Sequence, residues 1–368
     1  MNLSGRITTT DRTRIFCGDS LVPVGSFLKS AGRSVSRIIV LVDENTGRHC
    51  LPVLRQATPL LDSAFVLEVP AGEETKTLHT AMKIWEELLA AGADRKTLLI
   101  NLGGGMITDL GGFIAAGYKR GISFVNIPTS LIGQVDAAIG GKTGVNFNGI
   151  KNQIGFFHVP AAIFIFPPFL ETLPEEQLRS GMAEIIKCGL AGDPDLWHKA
   201  RKIPSAQWLS IHKKKLSDLI SGTVAYKNSV VKRDFREEGL RKVLNFGHTI
   251  GHALESFSHM QGRRPLLHGE AVAIGMICES YLSNLRHGLD ACALEEIRDT
   301  LDKLFPSFDF SQNDIPVLIS LMEHDKKNRD GKIGFTLLRG IGASRINQSC
   351  DQTEIRASLE YYLNDSSS

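Results

Sequence analysis

The feature that most constrains the fold is an alternation of short, β-branched runs with helical patterns over residues 37–166 of the 368-residue chain. Such alternation is typical of a mostly parallel sheet with helices on its faces. We therefore predict a Rossmann-like α/β arrangement, in which ligands bind beyond the carboxyl ends of the strands. The predicted strands are RIIVLVD (37–43), FVLEV (65–69), TLLINL (97–102), ISFVNI (122–127) and AIFIF (162–166).

The pattern changes after Pro167 and Pro168, where the strand-like runs nearly vanish. The remainder of the chain is mostly helical in pattern, apart from the run IGFTLL at 333–338. A chain of this length exceeds what one hydrophobic core usually fills. We predict an α/β domain over residues 1–172 and a mostly α-helical domain over residues 173–368.

Composition excludes several classes of function. A formal net charge of +2 gives no basis for nucleic-acid binding. No apolar run approaches about 20 residues, so we expect neither a membrane span nor a signal peptide. The six cysteines are scattered without a CxxC pair, as in a protein with reduced thiols. We expect a cytoplasmic protein.

Polar groups follow four of the predicted strands. Asp43 ends the first strand, and Gly103-Gly104-Gly105 leads from the third strand into a probable helix. The stretches PAGEETKT (70–77) and PTS (128–130) follow the other two. Glycines allow a pyrophosphate to approach the backbone, and a helix N-terminus offers unpaired N–H groups. The pattern is not GxGxxG, and a structural turn is the alternative, but four polar strand ends together favour a dinucleotide.

The stretch QVDAAIGGKTGVNFNGIKNQIG (134–155) concentrates polar side chains among glycines. Lysines on a glycine-rich backbone suit the binding of phosphate or carboxylate. A solvated loop is the simpler alternative, although strand-like runs flank the stretch. Its polar residues include Asp136, Lys142, Asn146, Lys151 and Asn152.

Three apolar helical patterns carry groups that ligate metals. SGMAEIIKCGL (180–190) places Glu184 and Lys187 on one helix face, which an ordinary ion pair would also explain. LNFGHTIGHALE (244–255) places His248 and His252 four positions apart, without the Glu that follows the first His in zinc proteases. LLHGEAVAIGM (266–276) adds His268. One Glu and two histidines match the ligands of a catalytic zinc with one open position.

Several of these motifs, in this order, closely resemble those of the 3-dehydroquinate synthase family. The likeness extends over about residues 37–340. Members of that family convert 3-deoxy-D-arabino-heptulosonate 7-phosphate (DAHP) to 3-dehydroquinate and phosphate in the shikimate pathway, with NAD and a divalent metal. The motifs are GGGMITDLGGFIAAGYKRGISFVNIPTSLIGQVDAAIGGKTGVN, KNQIG, LPEEQLRSGMAEIIKCGL, LNFGHTIGHALE, HGEAVAIGM and DKKNRDGKIGFTLL.

The resemblance implies an NAD-binding first domain and a second domain that binds metal and substrate. It implies that zinc, or cobalt, is held by Glu184, His248 and His268. It implies a substrate cavity lined by Asp136, Lys142, Asn152, Lys187, Lys227, Arg241, Asn245 and His252. It implies NAD contacts from Asp43, Glu73, Lys76, Gly104, Gly105, Asp109, Thr129, Ser130, Lys142 and Lys151.

Two further expectations follow from the resemblance. Arg120 reaches the cavity of the partner subunit, which implies a homodimer. Either Lys326 or Lys327 of the DKKN motif contacts the substrate. The chain departs from the family pattern at Ser130, where Thr is more common, and at Ala137-Ala138, where Ser-Ser is more common.

Three alternative functions remain at the level of sequence. Related sugar phosphate cyclases share the fold and metal site but act on substrates such as sedoheptulose 7-phosphate, which lacks the carboxylate. Metal-dependent alcohol dehydrogenases share the fold and would release NADH, but they do not require the cluster of Lys, Arg and Asn. A non-enzymatic binding role is the third alternative, and a chain that bound neither metal nor NAD would favour it.

Overall fold

The structure, a computed structural model, places the chain in two compact units, Met1–Pro174 and Glu175–Ser368. Lys326 and Lys327 lie outside the residues that the structure describes. None of the helices in the described part of the chain has the length and hydropathy that a bilayer crossing needs. The described residues are 5–9, 13–32, 34–148, 150–203, 213–260, 262–323 and 333–365.

The first unit is built on a seven-stranded sheet in the order β1-β2-β9-β6-β5-β3-β4. All neighbours pair in parallel except β1 and β2. The predicted mostly parallel sheet is therefore confirmed, and β1 and β2 are additions to it. The strands of the unit are β1 (Gly5–Thr9), β2 (Arg14–Gly18), β3 (Arg37–Asp43), β4 (Phe65–Val69), β5 (Thr97–Gly103), β6 (Ser123–Pro128), β7 (Lys142–Phe147), β8 (Ile150–Phe157) and β9 (Ala162–Ile165).

Alternating side chains of the central strands bury both faces of this sheet. In β3, Val40 and Val42 pack into a core with α1 and α3. Ile39 and Leu41 point the other way, into a core with α4 and α5. Because successive strand residues face opposite sides, an uninterrupted apolar run covers both faces. The helices are α1 (Val22–Ala31), α2 (Glu44–His49), α3 (Leu51–Ala57), α4 (Leu78–Ala90) and α5 (Gly105–Gly117).

Parallel register brings the polar strand ends to one edge of the sheet. Asp43 at the end of β3 lies opposite Val69 of β4, and Gly103 at the end of β5 lies opposite Pro128 of β6. The loops that follow these strands therefore emerge side by side.

The glycine-rich stretch 134–155 contains regular structure that its composition conceals. A π-helical turn at Gly133–Ala137 is followed by the antiparallel hairpin of β7 and β8. The solvated-loop alternative is therefore wrong for most of this stretch. Nearly all of β8 is exposed, and Asn152 interrupts the apolar residues at alternate positions from Ile150 to Phe156 that would indicate a strand.

The second unit is mostly helical, as predicted. Its one described hairpin pairs β10 (Gly334–Gly340) with β11 (Ala343–Ser349). The sequence indicated only the first of these strands, because β11 has few apolar residues and only partial burial. The helices are α6 (Glu175–Gly192), α7 (Pro194–Ala200), α8 (Lys213–Arg233), α9 (His248–Ser258), α10 (His268–His287), α11 (Ala291–Leu304), α12 (Ile315–Glu323) and α13 (Gln352–Asp365).

Helices α9 and α10 cross at direct backbone contact, which glycines make possible. A Cβ atom at Gly275 of α10 would lie 2.8 Å from the Gly251 nitrogen and would also overlap the Gly247 oxygen. A Cβ atom at Gly251 would lie 3.1 Å from the Ala271 oxygen. This close approach joins the two helices that begin with His248 and His268.

Gly275→Ala should destabilise the second unit, because the new methyl group meets backbone atoms that cannot rotate away. Overpacking of this kind costs about 1–3 kcal/mol in free energy of unfolding, measured by urea denaturation. Gly340→Ala is the matched control, since a Cβ atom there meets nothing within 4 Å. If the two variants unfolded at the same urea concentration, α9 and α10 would be able to accommodate the added methyl group without loss of stability.

Candidate active site

Three metal-ligating side chains meet in the second unit. One donor atom from each of Glu184, His248 and His268 lies within 4.8 Å of the others. Glu184 Oε1 is 3.6 Å from His248 Nε2 and 3.4 Å from His268 Nε2. Among the described residues, this buried oxygen has no hydrogen-bond partner. A buried carboxylate oxygen of this kind, facing two imidazole nitrogens, fits a divalent cation such as zinc.

The other ring nitrogens of the two histidines have acceptors. His248 Nδ1 lies 3.1 Å from the Phe246 carbonyl oxygen, and His268 Nδ1 lies 3.1 Å from Glu255 Oε2. An N–H donated from Nδ1 leaves Nε2 as the lone-pair nitrogen, which is the arrangement found around protein-bound metals. The sequence motifs did not single out Glu255. It lies two helical turns after His248, on the same helix face, and this spacing could have identified it.

Lys187 contacts the second oxygen of Glu184, so the ion-pair interpretation of this helix also holds. Burial raises the pKa of Glu184, but the charge of Lys187 and the proximity of His268 outweigh burial and hold that pKa well below its usual range. The carboxylate is therefore ionised, as metal ligation requires. One oxygen faces the lysine, and the other faces the histidines.

The pocket around His268 is strongly negative. Burial lowers the pKa of His268, but Glu255 and Glu184 outweigh burial and raise it to about 10. Two carboxylates against one imidazole favour a positive charge at this position. A divalent cation satisfies the same requirement.

His252 lies beside the three donors but outside their group. Its ring centroid is 5.2 Å from that of His248 and 5.8 Å from that of His268. The set of donor atoms within 4.8 Å of one another does not include it. Its expected place in the surrounding substrate site stays a prediction.

The 3-10 helical segment Leu240–Asn245 precedes α9 and carries Arg241 and Asn245. It packs against α6 and against α8, the helix of the buried Lys227. Arg241 Nη1 donates to the Phe235 oxygen at 2.7 Å. The segment thus places polar and basic side chains next to the helix that carries Glu184 and Lys187.

In the first unit, the N-terminus of α5 has the form of an anion site. Gly104 is the N-cap residue of the helix, and as a glycine it has no side chain to accept from the first N–H groups. A Cβ atom at Gly104 would lie 3.1 Å from Ser130 Oγ, and one at Gly105 would lie 3.2 Å from the Ala137 Cβ. The residues therefore fit a pyrophosphate held by backbone N–H groups at a helix start.

An ion cluster around the buried Lys76 links α5 to the loop after β4. Lys76 Nζ lies 2.8 Å from Glu73 Oε1 and 3.2 Å from Asp109 Oδ2. Burial raises the pKa of Asp109 to about 6, although the charge of Lys76 opposes it. Asn146 of β7 donates to Glu73 Oε1 at 3.0 Å, which joins the hairpin to this cluster.

The remaining expected cofactor residues of the sheet edge have structural partners as well. Asp43 Oδ1 accepts from the Thr46 nitrogen at 2.8 Å and so caps α2. Thr129 donates its backbone N–H to the Gly103 oxygen at 3.0 Å, and Ser130 Oγ accepts from the Gly133 nitrogen at 3.2 Å. These bonds hold the strand ends in place.

The other residues expected to contact substrate or cofactor in the first unit lie on the π-helical turn, the β7–β8 hairpin and the turn after α5. Asp136 is part of the π-helical turn, a conformation common at functional sites. Lys142 begins β7, and both Lys151 and Asn152 lie on the exposed strand β8. The φ angle of Asn152 is +51°, in the left-handed region. Arg120 is exposed at the end of the turn after α5, also with a positive φ.

Comparison with known proteins gives the family. A model of the N-terminal part of 3-dehydroquinate synthase matches residues 66–180, and a model of its C-terminal part matches residues 181–328. A 3-dehydroquinate synthase of Parabacteroides distasonis is 42% identical over 348 residues, which are 95% of this chain and 97% of the relative. One of Salinibacter ruber is 37% identical over 93% of both chains. The chain belongs to the 3-dehydroquinate synthase family.

Solved structures place the fold among sugar phosphate cyclases. A 2-epi-5-epi-valiolone synthase of Streptomyces hygroscopicus subsp. jinggangensis 5008, with NAD⁺ and Zn²⁺ bound, has a TM-score of 0.84 at 28% identity, covering 99% of this chain and 100% of that one. A maleylacetate reductase of Rhizobium sp. strain MTP-10005 has a TM-score of 0.66 at 18% identity and covers 98% of both, which shows a shared fold. The resemblance to the 3-dehydroquinate synthase family is confirmed.

His248→Ala should remove stoichiometric zinc from the purified protein, because the remaining pair of ligands holds the ion weakly. His252→Ala should retain zinc, because this ring lies outside the group of three donors. Zinc content after dialysis, measured by mass spectrometry, distinguishes the two variants. Equal zinc retention in both would remove His248 from the ligand set.

Proposed function

We propose that this chain is a 3-dehydroquinate synthase that converts DAHP to 3-dehydroquinate and phosphate. The observation that carries the proposal is the group of Glu184, His248 and His268, whose donor atoms converge in a chain of this family. Relatives with this name match most of the chain at 37–42% identity.

We propose NAD and a divalent cation as the cofactors, as in the bound 2-epi-5-epi-valiolone synthase. The uncapped start of α5 fits the pyrophosphate of NAD, and the unbonded oxygen of Glu184 fits the cation. When bound, NAD serves as a reversible hydride acceptor and the cation lowers the pKa of a substrate hydroxyl.

The NAD contacts in the proposal come from the first unit. The backbone N–H groups at Gly104 and Gly105 would receive the pyrophosphate. The ion pair of Lys76 and Asp109 ties α5 to the loop after β4. The full set of proposed contacts is Asp43, Glu73, Lys76, Gly104, Gly105, Asp109, Thr129, Ser130, Lys142 and Lys151.

Most of the proposed substrate contacts are basic or amide side chains, and one is the carboxylate of Asp136. DAHP carries a carboxylate and a phosphate, and charge-assisted hydrogen bonds from lysine and arginine grip both. Several chemical steps on one bound molecule depend on such positioning more than on many acid–base groups. The contacts proposed are Asp136, Lys142, Asn152, Lys187, Lys227, Arg241, Asn245 and His252.

A second candidate function is cyclisation of another sugar phosphate. The fold similarity to 2-deoxy-scyllo-inosose synthase, with a TM-score of 0.85 at 24% identity and covering 97% of this chain and 100% of that one, shows the fold shared with cyclases of other products. The higher identity of the 3-dehydroquinate synthases favours DAHP. The basic cluster supports this choice, because it suits the carboxylate that sedoheptulose 7-phosphate lacks.

Release of inorganic phosphate from DAHP tests the proposed function. Release should require both NAD and zinc, should cease after treatment with a chelator and should return when zinc is added. NADH should not accumulate, because the hydride returns to the substrate. Phosphate released by metal-free protein would contradict the proposal. Turnover of sedoheptulose 7-phosphate without turnover of DAHP, or steady NADH formation, would identify one of the alternative functions.

We also propose a homodimer in which Arg120 serves the partner subunit. The hairpin of the first unit exposes large apolar side chains, with Phe147 at 43%, Ile150 at 55% and Phe157 at 47% exposure. Several large apolar side chains exposed on one hairpin are suited to an interface. Lys119 and Arg120 both have left-handed φ angles, of +48° and +67°. Such strain costs about 1–3 kcal/mol per residue and is concentrated at functional sites.

Mixed dimers test the role of Arg120. Arg120→Ala and Lys187→Ala chains should each be inactive alone. After subunit exchange they should regain about a quarter of wild-type activity, since half of the dimers are mixed and each of these has one intact site. No recovery despite demonstrated exchange would place Arg120 outside the partner's chemistry, as for an ordinary exposed arginine.

A further inference from the structure

The carboxylate of Glu279 on α10 accepts three backbone hydrogen bonds at the start of α9. Its Oε2 accepts from the Gly247 nitrogen at 2.7 Å. Its Oε1 accepts from the Thr249 nitrogen at 3.1 Å and from the Ile250 nitrogen at 3.3 Å. Glu279 is fully buried. The mechanism proposed above uses none of these contacts.

Helix α9 depends on an external cap because its own N-cap residue is a glycine. Gly247 has a φ of +78° and offers no side-chain acceptor. A Cβ atom there would lie 2.9 Å from the Val272 oxygen, so a Ser, Thr or Asp cap cannot replace it. The first N–H groups of a helix need acceptors from outside the helix, and an anion is favoured there. Glu279 meets both requirements from the neighbouring helix.

We propose that Glu279 is a positioning residue for the metal ligand His248. Its hydrogen bonds bracket His248, since they engage the residue before it and the two residues after it. The backbone on both sides of the histidine is thereby fixed. The ring itself is oriented by the Phe246 oxygen, which belongs to the same short segment. Glu279 therefore determines where Nε2 of His248 lies relative to Glu184.

The arrangement makes α10 responsible for two of the three ligands. The helix supplies His268 directly from its first residue. Through Glu279, further along the same helix, it also holds the start of α9. At Gly251 and Gly275 the backbones of α9 and α10 are in direct contact, so the starts of the two helices are held close to each other. The inference rests on the proposed function in one respect, that His248 holds the cation.

Glu279→Gln tests this role, because the variant preserves the side-chain volume but replaces one acceptor oxygen with an NH₂ donor that faces backbone N–H groups. The dissociation constant for zinc, measured by chelator competition, should rise about 10–100-fold. The visible absorption of the Co²⁺-substituted protein should change, because the geometry of the His248 ligand changes. Far-UV circular dichroism of the metal-free protein should remain native.

Asp234→Asn is the matched control. Asp234 also accepts three backbone hydrogen bonds, from Glu238, Gly239 and Arg241, within the same unit. These three bonds do not involve the start of α9. In Asp234→Asn the zinc dissociation constant should therefore stay within twofold of the wild-type value, and the cobalt spectrum should not change. An equal loss of zinc affinity in both variants would indicate general loosening and would overturn the inference.

Two further outcomes are decisive. If Glu279→Gln folds and binds zinc as tightly as the wild type, Glu279 does not position His248. If Glu279→Gln does not fold, Glu279→Asp decides, because it keeps the charge but shortens the reach by one methylene. Native folding with at least tenfold weaker zinc binding supports the role, and wild-type affinity overturns it. Failure of the wild type itself to bind zinc would instead contradict the proposed function.

Discussion

The second unit is organised around the buried carboxylate of Glu184. One of its oxygens contacts Lys187, and the other faces two imidazole nitrogens without a hydrogen bond among the described residues. A buried charge is stable only when its surroundings compensate it. Lys187 compensates part of the negative charge, and a cation beside the other oxygen would compensate the rest. Glu255 places a second carboxylate at Nδ1 of His268, which further favours a cation here.

His248 and His268 are each the first residue of a helix. The first N–H groups of a helix have no acceptor within the helix and need one from elsewhere. For α9 the acceptor is Glu279, and for α10 it includes Glu270, which accepts from the Leu267 nitrogen at 3.1 Å. Two buried glutamates thus hold the backbone at the two histidines. The glycine contacts between the helices then allow the two histidines to approach each other.

The start of a helix is also the central feature of the first unit. Parallel pairing brings the strand ends to one edge, and Gly103–Gly105 lets α5 begin there without a side-chain cap. The N–H groups at this helix start are suited to an anionic ligand. The buried Lys76, paired with Glu73 and Asp109, connects the loop after β4 to the helix. The chain thus presents groups suited to an anion in one unit and groups suited to a cation in the other.

The sequence by itself determined the parallel sheet and the helical second half, because apolar periodicity is a local property. It also pointed to Glu184, His248 and His268, because glutamate and histidine are distinctive on apolar helices. Only the tertiary structure revealed β8, whose residues are nearly all exposed, and the contacts of Glu255 and Glu279. A buried glutamate looks the same in sequence whether it pairs, caps or ligates. Which of these it does depends on the groups that the fold brings to its oxygens from distant parts of the chain.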